Sequence, residues 1–159
     1  MGSFDKKFDS AKQDWETPQS LFDKLNSEFH FDIDLAADIN NAKCKNFLSK
    51  KDDALNAHWS GVCWLNPPYG NTARNKISAW VEKAHRESQK HNCIVVMLVP
   101  ARTNTKWWHK YCMVASEVRF ICGRPKFGKA IHGLPQPLAI IVFKKDIAET
   151  IFSSFALTT

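Results

Sequence analysis

Apolar residues in this chain follow two patterns, helical spacing and short continuous runs, and the two patterns alternate along the sequence. Helical spacing over residues 18–27, 72–90 and 103–113 predicts three helices. We expect the first to begin with Thr17 as the N-cap and Pro18 in the first helical position. The tail from Asp146 onward is predicted to add a further helix.

The strands are predicted from short apolar runs, several of them rich in β-branched residues. These runs cover residues 29–37, 43–48, 62–65, 94–99, 117–122 and 138–143. Over residues 39–61 the pattern is less regular, with a turn at Asn40 and Asn41 and a loop or helical turn at Asp52 and Asp53. Apolar strands that alternate with helices indicate an α/β fold with a compact, mostly parallel sheet and helices on both faces.

Length and composition restrict the domain organisation and the class of protein. The chain has 159 residues with no internal linker, which predicts one domain over residues 15–159 after a flexible, polar segment over residues 1–14. The net charge of +6 favours a polyanionic partner. Five scattered cysteines without a CxxC pair predict a reducing, cytoplasmic location, and histidines without ligand spacing argue against a metal site. No apolar run approaches about 18 residues, so a membrane span is not expected.

The tetrapeptide Asn66-Pro67-Pro68-Tyr69 directly follows the apolar run 62–65 and is the most informative motif of the chain. Proline fixes φ and lacks an N–H, so the chain must leave the sheet there and remain rigid. Asn66 then presents a carboxamide at the carboxyl edge of the strand, where open α/β sheets bind ligands. Tyr69 offers a ring that can stack on a base. A purely structural Pro-Pro turn is the alternative interpretation of the motif.

The motif has the groups needed to activate a planar amino nitrogen. The lone pair of such a nitrogen, for example N6 of adenine, is delocalised into the ring and is a weak nucleophile. The Asn66 side-chain carbonyl and the Pro67 main-chain carbonyl can each accept one N–H, which favours a pyramidal nitrogen with its lone pair directed at an electrophile. This is electrostatic stabilisation of a transition state and does not require proton abstraction.

In this motif and in the stretches around it, the chain resembles the phage-type DNA N6-adenine methyltransferases, the Dam family of phages and prophages. The resemblance is carried by five stretches in order, which are residues 15–22, 31–37, 59–69, 99–108 and 120–127. It implies a Rossmann-like, S-adenosylmethionine-dependent methyltransferase fold that methylates adenine N6 in DNA by direct transfer to a flipped base. The catalytic residues would be Asn66, Pro67, Pro68 and Tyr69.

The resemblance also implies a set of cofactor-binding residues. They are Trp15, Thr17, Pro18, Asp34, Ala36, Asp38 and Asp52. The sequence departs from the wider superfamily because no glycine-rich loop follows the strand that contains Asp34. Asp34 can alternatively cap the sheet edge, and Asp52 can be an exposed loop carboxylate.

The DNA-binding residues expected from basic and aromatic side chains near the carboxyl edge are Arg102, Lys106, Trp107, Arg124, Lys126 and Phe127. Packing of Trp107 against neighbouring loops, and a simple hairpin at 124–127, are the alternatives. A homodimer or a partner subunit stays open, because a chain of this length has little room for a separate recognition domain.

Two other functional classes are compatible with the sequence. The same amide chemistry serves methyltransferases that act on RNA or on a protein glutamine, although those families usually carry an extra substrate domain and a glycine-rich cofactor loop. A basic, catalytically inactive DNA-binding accessory protein of the same fold would explain the absence of that loop. The intact Asn66-Pro67-Pro68-Tyr69 motif argues against the inactive protein.

Overall fold

A computed structural model of the chain describes residues 16–69, 76–128 and 135–157. The segment 1–14 and Trp15, for which we made predictions from sequence, lie outside the described residues. The described part contains three α-helices, α1 (Gln19–Phe29), α2 (Ile77–Ser88) and α3 (Lys106–Tyr111). Short 3₁₀ turns at Lys50–Asp52 and Cys112–Val114 complete the helical elements of this part.

Seven strands form one sheet in the described residues. They are β1 (Ile33–Asp34), β2 (Asn46–Phe47), β3 (Gly61–Leu65), β4 (Cys93–Pro100), β5 (Glu117–Cys122), β6 (Leu138–Phe143) and β7 (Ile151–Ala156). Their spatial order is β2-β1-β3-β4-β6-β5-β7. Among these strands β6 alone runs antiparallel to its neighbours, so the predicted α/β class and mostly parallel sheet are confirmed.

Side chains of the central strands alternate between two apolar layers. Cys63 and Leu65 of β3 point to one face of the sheet, which α2 and α3 cover with Val81, Ala84 and Trp108. Trp64 points to the opposite face, where α1 contributes its own apolar side chains, Leu21, Phe22 and Leu25. The helices therefore cover both faces, as the uninterrupted apolar runs predicted. None of the described helices has the length and hydropathy needed to cross a membrane.

Two boundary predictions were wrong. Helix α1 begins at Gln19 with Pro18 as its N-cap, and no side chain caps it, so Thr17 does not cap the helix. The strand predicted over residues 29–37 is limited to Ile33–Asp34, because α1 extends to Phe29 and His30 ends it in a left-handed conformation with φ 55°. The second error arises because the apolar pattern continues from the helix through its C-cap into the strand.

The chain tail was also predicted wrongly, since it forms a strand and not a helix. β7 pairs in parallel with β5, and Phe155 is buried against the α1 face of the sheet. Lys24 of α1 donates a hydrogen bond to the Ala156 carbonyl at 2.7 Å, and its ammonium lies 4.9 Å from the centroid of the Phe155 ring. Apolar residues at 151, 152 and 155 fit helical spacing as well as a strand, so pairing with the open edge of β5 decides the outcome.

A buried acidic group connects α2 to the loop over residues 53–60. Glu87 is 2% exposed and accepts hydrogen bonds from the Trp59 backbone N–H at 3.1 Å and from Lys90 Nζ at 2.7 Å. Lys83, also buried, lies 3.1 Å from Glu87 and donates to the Ala57 carbonyl at 2.6 Å. Burial raises the pKa of Glu87, but these donors outweigh burial and lower it to about 2.

We expect Glu87→Ala to lower the free energy of unfolding by about 3–5 kcal/mol, because it leaves the buried Lys83 ammonium without its counter-ion. Denaturant titration at neutral pH measures this loss. The exposed Glu82 on the same helix supplies the matched control, and Glu82→Ala should stay within about 0.5 kcal/mol of wild type. Since the folded-state pKa is lowered from 4.5, the difference between wild type and Glu87→Ala should shrink as the pH falls from 4.5 towards 2. A difference that does not change with pH would contradict the ionic origin of the stabilisation.

Candidate active site

The candidate site lies where the connections of two neighbouring parallel strands diverge. β1 and β3 are adjacent, but the chain leaves β1 towards β2 at one edge and leaves β3 towards β4 on the other side. Such a divergence opens a crevice outside the carboxyl ends of the strands, which is where open α/β sheets bind ligands. A cleft of about 1250 Å³ occupies this position, and Asp34 and Asn66 line it at the ends of β1 and β3.

The carboxylate of Asp34 organises the chain that follows β1. Asp34 is 3% exposed, and its two oxygens accept hydrogen bonds from the backbone N–H groups of Ala36 at 3.2 Å and Lys43 at 3.0 Å. Burial raises the pKa of Asp34, while these two N–H groups and the nearby Lys43 charge act in the opposite direction. Residues 34–60 contain no glycine, so a side chain here orders the loop without a glycine-rich turn.

A second set of contacts holds this loop against the start of α1. The Lys43 side chain is 7% exposed, and its ammonium lies 3.2 Å from Glu16 and 3.0 Å from the Gln19 side-chain oxygen. At the tip of the loop, Asp38 accepts hydrogen bonds from the Asn40 backbone and from the Asn41 side chain. The cleft wall formed by residues 34–43 is thus fixed to the helix that precedes β1.

The carboxamide of Asn66 is held by two hydroxyl groups. Its Nδ2 donates to Thr17 Oγ1 at 3.0 Å, and its Oδ1 accepts from the Tyr69 hydroxyl at 3.2 Å. The Tyr69 hydroxyl also lies 3.1 Å from the Leu98 carbonyl oxygen of β4. Burial raises the pKa of the Tyr69 phenol, although the Arg102 charge acts in the opposite direction, so the hydroxyl keeps its proton.

The structure brings most of the residues expected at the catalytic and cofactor sites into one cleft, though not all of them. Its lining includes Asn66, Pro67, Pro68, Thr17, Asp34, Ala36 and Asp38. Tyr69 is half-buried, packs against the core beneath α2 and is not among the lining residues. Pro18 is the N-cap of α1 and also lies outside the lining.

Asp52 and its neighbour Asp53 have different roles in the structure. The Asp52 carboxylate accepts from the backbone N–H and the hydroxyl of Ser49, which closes a capping box around the turn and lowers the pKa of Asp52. Asp53 has a left-handed φ of 47° and lines the cleft. Of these two aspartates Asp53 alone is among the lining residues, and its carboxylate accepts a hydrogen bond from the Asn56 side chain at 2.8 Å.

The residues expected to contact DNA lie outside the cleft lining, with Lys106 and Trp107 at the start of α3 and the others in loops. Arg102, Lys106, Arg124 and Lys126 are exposed, whereas Trp107 is half-buried and packs against the core. Phe127 is 3% exposed within the apolar layer under α1, so its ring is not available for stacking on a base in this arrangement. The Gly128 N–H donates to the Glu16 carbonyl at 3.1 Å, which brings the basic loop 124–128 beside the cleft.

Sequence reasoning missed several lining residues, of which Trp80 is the most informative. The helical spacing of α2 assigned Trp80 to the core, and its ring does stack on Trp59 with centroids 6.4 Å apart. Trp80 nevertheless lines the cleft, and in the described part of the chain its Nε1–H is a buried side-chain donor without a hydrogen-bond partner. A periodic pattern indicates the buried face of a helix but not which buried residues border a cavity. No group of three or more metal-ligating side chains is found within residues 16–69, 76–128 and 135–157.

Comparison with known proteins gives a consistent family assignment. Residues 5–151 match the family described as DNA N-6-adenine-methyltransferase (Dam). The chain is 36% identical over 115 residues to a DNA N-6-adenine-methyltransferase of Haemophilus phage HP1 (strain HP1c1), across 70% of this chain and 64% of the relative. It is 31% identical over 116 residues to a DNA N-6-adenine-methyltransferase of Escherichia phage T1, across 71% of this chain and 46% of the relative. The chain thus spans less than two thirds of the first relative and less than half of the second.

We expect Asp34→Ala to release the loop after β1, because two partly buried backbone N–H groups lose their acceptor. The free energy of unfolding should fall by about 1–3 kcal/mol. Native-state hydrogen exchange should show faster exchange at Ala36 and Lys43, with little change in the strands. Asp23→Ala, which removes an exposed carboxylate from α1, is the control. Unchanged protection of both amides would refute the organising role of Asp34.

Proposed function

Because the chain belongs to the DNA N-6-adenine-methyltransferase (Dam) family, we propose that it transfers a methyl group from S-adenosylmethionine to N6 of adenine in DNA. The observation that carries the proposal is the position of the Asn66 carboxamide and Pro67 in a cleft at the carboxyl ends of β1 and β3. The proposal includes a Rossmann-like, S-adenosylmethionine-dependent methyltransferase fold. Support for it comes from the parallel order of β2, β1, β3 and β4 and from the divergence between β1 and β3.

Asn66 and Pro67 act on the amino group of the target base. The Asn66 Oδ1 and the Pro67 carbonyl oxygen accept its two N–H groups, so the nitrogen becomes pyramidal and its lone pair points along the transfer direction. When bound, S-adenosylmethionine would supply an electrophilic methyl group on its sulfonium sulfur. The bond from the amino nitrogen to the methyl carbon would form as the carbon–sulfur bond broke to give a neutral thioether, and the nitrogen would release one proton to water. Rigid prolines keep both acceptors in place before the base arrives.

The described residues fit a cofactor of this size and chemistry. Typical small-molecule pockets enclose about 300–1,000 Å³, so a cleft of about 1250 Å³ has room for a donor and an acceptor base together. Its wall offers the carboxylate of Asp53 for ribose hydroxyls and apolar surface from Leu55. Within the described residues the buried Trp80 Nε1–H has no hydrogen-bond partner, and a ligand acceptor would satisfy it, since buried polar groups are otherwise almost always paired.

DNA would approach across the loops at the carboxyl edge of the sheet. Exposed Arg102 and Lys106 follow β4, and exposed Arg124 and Lys126 follow β5, where they can neutralise phosphates. An adenine paired within a duplex cannot reach Asn66, so the target base must be extruded into the cleft. The Tyr69 hydroxyl is hydrogen-bonded to Asn66, and the Phe127 ring is buried. Stacking on the extruded base therefore requires either that Tyr69 exposes its ring or that another aromatic residue stacks on the base.

We expect Asn66→Ala to remove at least about 99% of the methyl transfer while DNA affinity stays within about threefold, by analogy with loss of one transition-state hydrogen-bonding group. The assay incubates the protein with labelled S-adenosylmethionine and unmethylated DNA, digests the DNA and separates the nucleosides. Asn46→Ala, on the edge strand β2 and outside the cleft lining, is the matched control. Wild-type protein that binds the cofactor but forms no N6-methyladenine would reject the proposed activity.

Trp80→Phe tests the cofactor assignment without using turnover. Phenylalanine keeps an aromatic ring but removes the N–H, so S-adenosylmethionine should bind about 3–10-fold more weakly in calorimetry. The stability of the ligand-free protein should stay the same or rise, because the lost donor has no partner among the described residues. If stability falls while cofactor affinity is unchanged, Trp80 is only a core residue.

A further inference from the structure

Thr17 is buried at the start of α1, but its hydroxyl does not serve the helix. Only 4% of Thr17 is exposed, and Pro18 is the N-cap residue. The Thr17 Oγ1 instead accepts a hydrogen bond at 3.0 Å from Asn66 Nδ2, which lies 49 residues further along the chain. The buried Thr17 hydroxyl binds the Asn66 carboxamide, and helix capping does not explain this contact.

The Asn66 carboxamide is held at both of its polar atoms. On the opposite side from Thr17, its Oδ1 lies 3.2 Å from the Tyr69 hydroxyl. Side-chain amides rotate easily about their last torsion, for which staggered minima are weak. Two hydroxyls on opposite ends of one amide fix the plane of that amide, and the plane determines where its oxygen lone pairs point.

The Tyr69 hydroxyl is shared between two carbonyl oxygens. It lies 3.2 Å from Asn66 Oδ1 and 3.1 Å from the Leu98 carbonyl oxygen. A phenol has one proton and donates it to one acceptor at a time. When an incoming amino group donates to Asn66 Oδ1, the Tyr69 proton can remain on Leu98, so substrate binding does not leave a buried hydroxyl unpaired.

We propose that Thr17 is a positioning residue for methyl transfer, which together with Tyr69 fixes the Asn66 carboxamide in the plane that receives the target amino group. This inference rests on the proposed function of Asn66. It gives Thr17 a different role from the cofactor contact that the family resemblance implies. Small displacements of a catalytic group can reduce a rate about 100-fold, so a hydroxyl that never touches the substrate can control turnover.

The decisive comparison is between Thr17→Val, which removes the hydroxyl at nearly constant shape, and Thr17→Ser, which retains it. We expect Thr17→Val to lower the single-turnover rate constant at saturating DNA and cofactor by about 10–100-fold. The dissociation constants for S-adenosylmethionine and DNA should change by less than about threefold. Thr17→Ser should recover at least about a third of the rate constant. Thr150→Val deletes a hydroxyl that bonds to the Met113 carbonyl at the far end of the sheet and is the matched control.

Tyr69→Phe provides an independent test because it keeps the ring and removes the other hydroxyl. If both hydroxyls fix the same amide, the double variant Thr17→Val/Tyr69→Phe should lose less activity than the product of the two single losses. Independent, fully multiplicative losses would overturn the shared role. A Thr17→Val variant with a weaker cofactor dissociation constant and an unchanged saturated rate constant would make Thr17 a cofactor residue.

A measurement without turnover separates this inference from the proposed function. In protein labelled with ¹⁵N-asparagine, the Asn66 side-chain amide signal can be assigned by its absence in Asn66→Ala. We expect it to shift and exchange faster with water in Thr17→Val and to return in Thr17→Ser. An unchanged amide signal in folded Thr17→Val would overturn the positioning role. If the wild type methylates no adenine, the proposed function fails, and this signal still decides whether Thr17 orients Asn66.

Discussion

The divergence of the chain at β1 and β3 is the constraint on which the rest of the site depends. The two strands pair in register, with Asp34 opposite Trp64, yet their connections leave towards opposite edges of the sheet. A cleft of about 1250 Å³ lies between those connections, and Asp34 and Asn66 line it. The other hydrogen bonds and ion pairs described for the site hold the walls of this cleft in place.

The walls are held mainly by charged or polar side chains on backbone groups. Asp34 orders the chain after β1 through two N–H groups, and Glu87 holds the 53–60 loop through the Trp59 N–H. Both carboxylates are nearly fully buried, but the outcome differs. Burial prevails for Asp34 and raises its pKa, whereas for Glu87 the hydrogen bonds from Lys90, Trp59 N–H and Lys83 together outweigh burial and lower its pKa. A carboxylate that accepts hydrogen bonds from backbone N–H groups can thus order a loop that contains no glycine-rich turn.

The centre of the site is assembled from three separate elements. Thr17 precedes α1, Asn66 directly follows β3 and Leu98 belongs to β4. Hydrogen bonds from Asn66 to Thr17 and from Tyr69 to Asn66 and Leu98 join them. Packing of α1 on one face of the sheet fixes the position of Thr17 relative to Asn66. The orientation of one carboxamide therefore depends on how a helix docks on the sheet.

The sequence by itself determined the features that depend on neighbouring residues. Apolar runs identified the sheet and its covered faces, and two prolines placed a rigid turn with Asn66 at the end of β3. The sequence did not determine contacts between distant residues, because the periodicity of apolar residues does not indicate which helices and strands pack together. Only the tertiary structure assigned Thr17 to Asn66, Trp80 to the cleft wall and residues 151–156 to a strand, since each depends on the partner that packing supplies. Local chemistry predicted the Asn66 carboxamide as the candidate catalytic group, and long-range packing decided how that carboxamide is held.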